Sequence, residues 1–469
     1  MLAYASAAVL ALAIGRDLLH MPLQVADSLT LVLDAAQPER TVWSEFRSRL
    51  SDTDYLRPVY YATIKLVSDL GNGHYFLAYR LFHALLVFAF LMLFVRALEV
   101  RDWLRCAVMP LALAVFLGIH TFLGTVKEIW PISHFLQVAV LSLAALNLTQ
   151  MRRGLLVDIA IMVTFVLAAF TLESGLLVWV VVVGAWISGM PGASSRTVIG
   201  VTLLVGSYAL LRFAIYDTTM PGIEQRSTGF LLEVLDPPEV RERFGDNLWP
   251  LYGYNVFSSV SSVLFTEPRA GVWQLVRAIR GDQLAPRYFI QTGASLLATG
   301  LVIAYVVDRL RSGVRRPVTL ADRHTVIFAM VLGANAAICY LYTKDEILSV
   351  AGAFYALPVF GATVHFIRRW SERPRRWQAT AAVCVLLVVG GAAWAIRAAG
   401  VHHVLRSQAF VQRNDWARME RQWRRDGNWE QYSESVPLIL QLRDEAISMQ
   451  VVNPYFVPRW MERVFDIHY

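Results

Sequence analysis

Apolar residues in this chain come in long unbroken stretches, without the 3.6- or 2-residue alternation of a half-buried helix or strand. The stretches are Leu2–Leu19, Tyr75–Leu98, Cys106–Leu123, Ile132–Leu148, Leu155–Phe170, Leu176–Ile187, Val198–Tyr216, Ile290–Val307, Val326–Tyr342, Leu348–Ile367 and Ala379–Ala399. A bilayer core about 30 Å thick asks for roughly 20 apolar residues in a helix rising about 1.5 Å per residue. Leu176–Ile187 is short, and either borrows from Thr171–Gly175 or crosses with little tilt. The pattern predicts an all-α polytopic membrane protein of about eleven transmembrane helices.

Polar positions divide into two kinds of connector. One set is short and Arg-rich: Arg96/Arg101/Arg105, Arg152/Arg153, Arg196, Arg309/Arg311/Arg315/Arg316/Arg323 and Arg368/Arg369/Arg373/Arg375/Arg376. These fall on every second connector, so the positive-inside rule places them, and the N-terminus, in the cytoplasm. The first stretch begins without a basic flank, and Arg16 and Asp17 interrupt its end; with no small-x-small cleavage site after it, a retained span is expected over a signal peptide. The other set comprises residues 20–74, 217–288 and the tail 401–469, which then lie outside. The tail sets Trp416, Trp423 and Trp429 among charges before an apolar-periodic stretch, Val436 to Met449. It predicts surface helices lying on the membrane face or packed on the first loop. Residues 1–400 form the membrane module and 401–469 an external helical tail.

Composition agrees. Hydrophobic residues make up 56% and charged residues 17%, against about 25% in soluble domains, which excludes a soluble multi-domain chain. The net charge of +7 lies in the Arg connectors and does not indicate nucleic-acid binding. Cys106, Cys339 and Cys384 each sit inside an apolar run and suggest neither a disulfide framework nor a metal site.

Candidate chemistry centres on the first loop. Asp27 lies just beyond the first span, where a carboxylate can take a proton from an incoming hydroxyl. It could equally cap a loop helix, since Asp followed by Ser and an apolar run is a good N-cap. The segment Tyr55-Leu56-Arg57-Pro58-Val59-Tyr60-Tyr61, with His74-Tyr75-Phe76-Leu77-Ala78-Tyr79-Arg80-Leu81-Phe82-His83, resembles the end of the first loop and the second span of GT-C membrane glycosyltransferases. The nearest branch is the bacterial relatives of the protein O-mannosyltransferases. Glu128-Ile129-Trp130-Pro131-Ile132-Ser133-His134 is similar to that family's segment before span four, Leu172-Glu173-Ser174 to its acidic turn between spans five and six, and Ala353-Phe354-Tyr355-Ala356-Leu357-Pro358 to a late Tyr-Leu-Pro span. The resemblance covers roughly the first 215 residues and rests on the order of these pieces.

The resemblance implies an enzyme of the inner membrane. It would move a sugar from a polyprenyl-phosphate donor to a glycan, lipid or protein acceptor at the external face, with Asp27 as general base. The candidate substrate-binding set beside it is Arg57, Tyr60, His83, His120, Glu128, His134 and Glu173. This chain departs from the family at Asp27-Ser28, where many relatives carry two adjacent acids, so a divalent cation is left open and no cofactor is assigned. It departs again at His83, where Asn is common, and after His120, where Phe122 and Leu123 replace an acid.

Arg57, Lys127, Arg212 and Arg287 are candidate phosphate partners, since Arg grips phosphate through two parallel N–H bonds. Snorkelling is the better reading for Arg212 and Arg287; for Arg57 the two stand even. Glu128, His134 and Glu173, near span ends, are costly in a bilayer and therefore suspected of function, with packing inside the bundle as the alternative. Two other classes remain: a transporter or flippase of lipid-linked glycans, and an O-antigen polymerase or ligase, which would place Arg and His in a late loop such as 217–288.

Overall fold

The computed structural model describes residues 2–25, 27–51, 55–74, 76–122, 132–216, 227–312, 318–372, 376–407, 409–410, 414–452 and 456–465. Its elements are helices, with two isolated β-bridges at Ser227–Leu235 and Thr228–Tyr342. In chain order the α-helices are α1 (Leu2–Leu19), α2 (Asp27–Ala36), α3 (Val42–Ser48), α4 (Pro58–Gly71), α5 (Leu81–Ala97), α6 (Trp103–Gly118) and α7 (His134–Thr149). They continue as α8 (Leu155–Ala169), α9 (Leu177–Ile187), α10 (Ser195–Ala209), α11 (Pro237–Phe244), α12 (Trp249–Phe265), α13 (Val272–Arg280) and α14 (Pro286–Ser312). The last are α15 (Leu320–Ile338), α16 (Ser349–Ser371), α17 (Arg376–Ser407), α18 (Trp416–Arg425), α19 (Asn428–Gln431), α20 (Val436–Val452) and α21 (Arg459–Phe465).

Six helical stretches are long and apolar enough to cross a membrane: Leu2–Leu19, Ala78–Ala97, Ser195–Ile215, Pro286–Ser312, Glu346–Ser371 and Thr380–Ser407. Four shorter apolar helices accompany them, at Trp103–Gly118, His134–Thr149, Leu155–Ala169 and Glu173–Ile187. The chain is a helical, membrane-embedded protein. α16 is its axis, buried over almost its whole surface and touching α6, α7, α14, α15 and α17. Small residues make that possible: Ala351, Gly352, Ala353 and Ala356 are buried in sequence, and Gly352 lies so close to Thr121 that a Cβ would overlap the hydroxyl.

Side-chain caps fix where several helices start. Asp102, Ser133, Ser194 and Thr319 each accept a hydrogen bond from a backbone N–H of the first turn. Asp158 in the first turn of α8 accepts from Ser194 (3.0 Å) and from Thr197, which locks α8 to α10. Arg368 pairs with Asp102, Arg369 and His365 with Asp308, Arg309 with Asp322, and Arg153 donates to the Pro191 carbonyl. The Arg-rich connectors are thereby gathered at one end of the bundle, as a strict alternation of connectors requires.

At the opposite end the first loop folds into α2, α3 and α4. A second apolar cluster joins Leu29, Val32 and Leu33 of α2 and Tyr60, Ile64 and Val67 of α4 to Trp416, Met419, Trp423, Tyr432, Ile439 and Leu442 of the tail. Of the two placements expected for the tail, the structure shows packing on the first loop. Burying an aromatic or aliphatic side chain of this size stabilises by roughly 1.5–3 kcal/mol, so the tail holds the loop in place. Residues 217–288, expected as one external polar piece, instead send α12 into the bundle. Val263 joins the main core, and Asn255, Ser258, Ser259 and Ser262 form a buried face. These small polar residues let α12 pack closely on its neighbours, and Asn255 donates to the Thr228 and Tyr340 carbonyls of adjoining connectors.

Candidate functional site

The loop end carries two buried ionic clusters. The first is built on the turn between α8 and α9. Gly175 lies against the Ala168 carbonyl, a place where any Cβ would overlap, and the tight turn it permits presents Glu173. Arg57, the residue before Pro58 and α4, reaches Glu173 Oε2 through Nη2 at 2.7 Å and Nε at 3.1 Å. From α10's π-helical extension, Arg212 Nη1 meets Glu173 Oε1 at 3.4 Å and the Tyr208 hydroxyl at 3.0 Å. Burial pushes the Arg57 pKa down, but the Glu173 carboxylate outweighs it and holds the guanidinium above its ordinary value. Among the described residues two cations thus share one acid in a largely buried centre.

Arg212 is only 2% exposed, so it does not snorkel; its stem and head are taken into the bundle. Arg287 does neither of the things expected of it. Its guanidinium donates to the Phe465 carbonyl at 2.5 Å and the Tyr288 hydroxyl, fastening the end of the chain to α14. Tyr60 and His134, both buried, meet edge to face with ring centres 4.9 Å apart, and His134 opens α7. Arg57 acts electrostatically on His134, so these two join the Arg57 cluster.

The second cluster gathers around Asp345, in the connector between α15 and α16. Arg269 donates to its Oδ2 at 2.7 Å, while its Oδ1 has no hydrogen-bond partner among the described residues and lies 3.7 Å from His120 Nε2. His120 Nε2 is also 2.7 Å from the Ser262 hydroxyl of α12. Burial raises the Asp345 pKa to about 6, against the pull of Arg269. Nearby, Arg397 of α17 donates to Ser295 (2.5 Å), Thr266 (3.1 Å) and the Gln291 carbonyl. Ser262 and Asp345 approach the same imidazole nitrogen, so this is not the relay of a serine nucleophile, where acid and hydroxyl take opposite nitrogens. It is a buried acid with one oxygen available to a hydroxyl or a cation.

The remaining expected residues fall elsewhere. Asp27 is the first residue of α2, the position of a first-turn acid; its side chain lies outside the described residues, as do Lys127 and Glu128. His83 is fully buried one turn after Arg80 on α5. Arg80, itself fully buried, donates to the Pro22 carbonyl at 2.9 Å and so fixes the segment leading to Asp27. Farther out, burial raises the Asp34 pKa and pushes the Tyr432 hydroxyl up to about 12, and the two are joined at 3.2 Å. Among the described residues no three of His, Cys, Asp and Glu come together as metal ligands.

Asp345, Arg269, Arg397 and Ser262 were not singled out from sequence. Arg397 carried a signal, being an arginine inside an apolar run. Asp345 had none, because Lys344-Asp345-Glu346 reads as an ordinary charged connector. No protein-family model matches this chain, and no match was found among curated proteins or among solved structures.

Proposed function

We propose that this protein is a GT-C-like glycosyltransferase of the cell inner membrane, with about eleven spans, its Arg-rich end in the cytoplasm and its loop end outside. It takes a sugar from a polyprenyl-phosphate donor and places it on a glycan, lipid or protein hydroxyl. One observation carries this reading: the first loop is a folded platform whose Arg57 is drawn down beside Arg212 onto Glu173, so that among the described residues two arginines meet one acid at the loop end. A lipid phosphate needs such a centre at the boundary between bilayer and water. Charge-assisted Arg–phosphate bonds are about twice as strong as neutral ones.

In the proposed step the acceptor hydroxyl attacks the anomeric carbon while the bond from that carbon to the phosphate oxygen breaks. The oxygen's electron pair leaves with polyprenyl phosphate, and the hydroxyl proton passes to the Asp27 carboxylate. Arg57 and Arg212 stabilise the charge gathering on the departing phosphate. Arg80 holds the segment that leads to Asp27. The Arg57–Glu173–Arg212 cluster lies at the loop end of the bundle, as an external-face enzyme would have it, which disfavours the flippase or transporter reading.

Donor binding tests this. Native mass spectrometry of the purified protein with undecaprenyl-phosphate mannose and glucose should show one bound donor, weakened roughly ten- to a hundredfold in Arg57→Gln. Retention of neither donor by the wild-type chain, or equal retention by the variant, would count against the assignment.

A further inference from the structure

A second amphipathic site lies on the opposite side of the first span, between α1 and α17. Here a cleft of about 510 Å³ opens along the two helices. Its inner part is walled by Leu10 and Ile14 of α1, Leu117 of α6 and Ala398 of α17, with Leu405 at its loop end. Its loop-end part carries Arg16, Asp17, His20, His402 and Arg406. His402 Nε2 and Asp17 Oδ2 lie 2.6 Å apart and join the helices across the cleft.

The cleft opens towards lipid. Beside it on α1, Val9 and Leu12 are 67% and 70% exposed, and the lining Ala13 is exposed as well. On α1 the stripe of Val9, Leu12, Arg16 and His20 follows helical spacing, apolar for two turns and then basic. The rise from Leu10 to His20 is about 15 Å, half of a bilayer core. An occupant must therefore be apolar at mid-membrane depth and polar at the surface. Among the described lining residues Arg16 and Arg406 face one carboxylate, Asp17, a balance that suits an anionic polar end.

We infer that this cleft holds an anionic phospholipid of the outer leaflet, its phosphate between Arg16 and Arg406 and one acyl chain against Leu10 and Ile14. The exposure of the cations decides for a bulk lipid over a scarce one. Arg16 and His20 face the surroundings, and Arg406 is half-buried. A cation in such a place strengthens binding of an anionic lipid about fivefold, two of them about thirtyfold. Affinity of that size fills a site only when the ligand is a large share of the membrane. The site stands apart from the Arg57 cluster and does not depend on the transferase reading.

Nanodiscs of mixed phosphatidylglycerol and phosphatidylcholine, followed by native mass spectrometry of the released full chain, test it. The wild-type protein should retain the two lipids in a phosphatidylglycerol-to-phosphatidylcholine ratio about thirtyfold above their bulk ratio. Arg16→Gln with Arg406→Gln should abolish the preference, and so should Ala13→Trp, which fills the cleft without removing a charge. Arg425→Gln, on the exposed face of the tail, should leave it intact. Equal retention of the two lipids, an unchanged preference in either cleft variant, or displacement of the bound lipid by stoichiometric undecaprenyl phosphate would overturn the assignment.

Discussion

Replacing Glu173 by Gln should destabilise this protein more than replacing either arginine that it holds. The geometry sets the order. Among the described residues Glu173 is the acid shared by Arg57 at 2.7 Å and Arg212 at 3.4 Å, and their side chains are 18% and 3% exposed. At about 4 Å and an effective dielectric near 20, each attraction is about 4 kcal/mol before desolvation is subtracted. Breaking a buried pair by removing one partner costs about 3–5 kcal/mol. Glu173 is itself one-fifth exposed, so the lower figure, about 3 kcal/mol, applies to Glu173→Gln. Arg57→Gln leaves Glu173 with Arg212 and a glutamine that can still donate, and should cost about 1–2 kcal/mol. The double variant relieves the repulsion between the arginines and should fall short of the sum by at least about 1 kcal/mol. Unfolding by SDS titration in mixed micelles measures all three. A Glu173→Gln protein within about 0.5 kcal/mol of wild type, or strictly additive losses, would refute the shared-acid description.

Asp345 should give a pH signature. The folded chain keeps its proton up to about pH 6, whereas an unfolded chain releases it near 4. The folded state therefore binds the extra proton between these values, and stability should fall by up to about 3 kcal/mol as pH rises through them. Melting curves from pH 4 to 7 should show that slope and lose it in Asp345→Asn; an identical slope in the variant would acquit Asp345. Gly175→Ala forces a methyl group onto the Ala168 carbonyl and should cost about 1–3 kcal/mol in the same SDS titration. A neutral result would mean that the turn presenting Glu173 is looser than described. Cysteines placed at the exposed Ser44 and Ser433 in a cysteine-free background should react with an impermeant thiol reagent from outside, and one at Arg311 should not. The reverse pattern would invert the proposed orientation.

Hydrophobic pattern made the helices legible because a bilayer demands length and apolarity in one continuous run. α1 coincides with its expected span residue for residue, and the Arg connectors converge at one end as their alternation requires. α12 was missed because its helical face of Ser and Asn hides in a moving average of hydropathy, although it is long enough to reach the core. Among the site residues, Arg57 and Glu173 were suspected separately, 116 positions apart, and nothing in a single sequence says that they meet. Arg212 was misjudged because an arginine near a span end looks the same whether it reaches for water or for a buried acid. Asp345 escaped notice for the same reason; its neighbours Arg269 and His120 come from distant parts of the chain, which no local pattern records.

The most direct measurement is transfer itself, read as release of polyprenyl phosphate from undecaprenyl-phosphate mannose or glucose in proteoliposomes supplied with envelope extract as acceptor. The account predicts release by the wild-type protein and a loss of about 10²–10⁴-fold in Asp27→Asn with donor binding unchanged, the share that a positioned base supplies. Full release by Asp27→Asn, with Asp34, Asp52 and Asp54 equally dispensable, would contradict the first loop as the seat of catalysis. No release from any donor by the wild-type protein would contradict the enzyme.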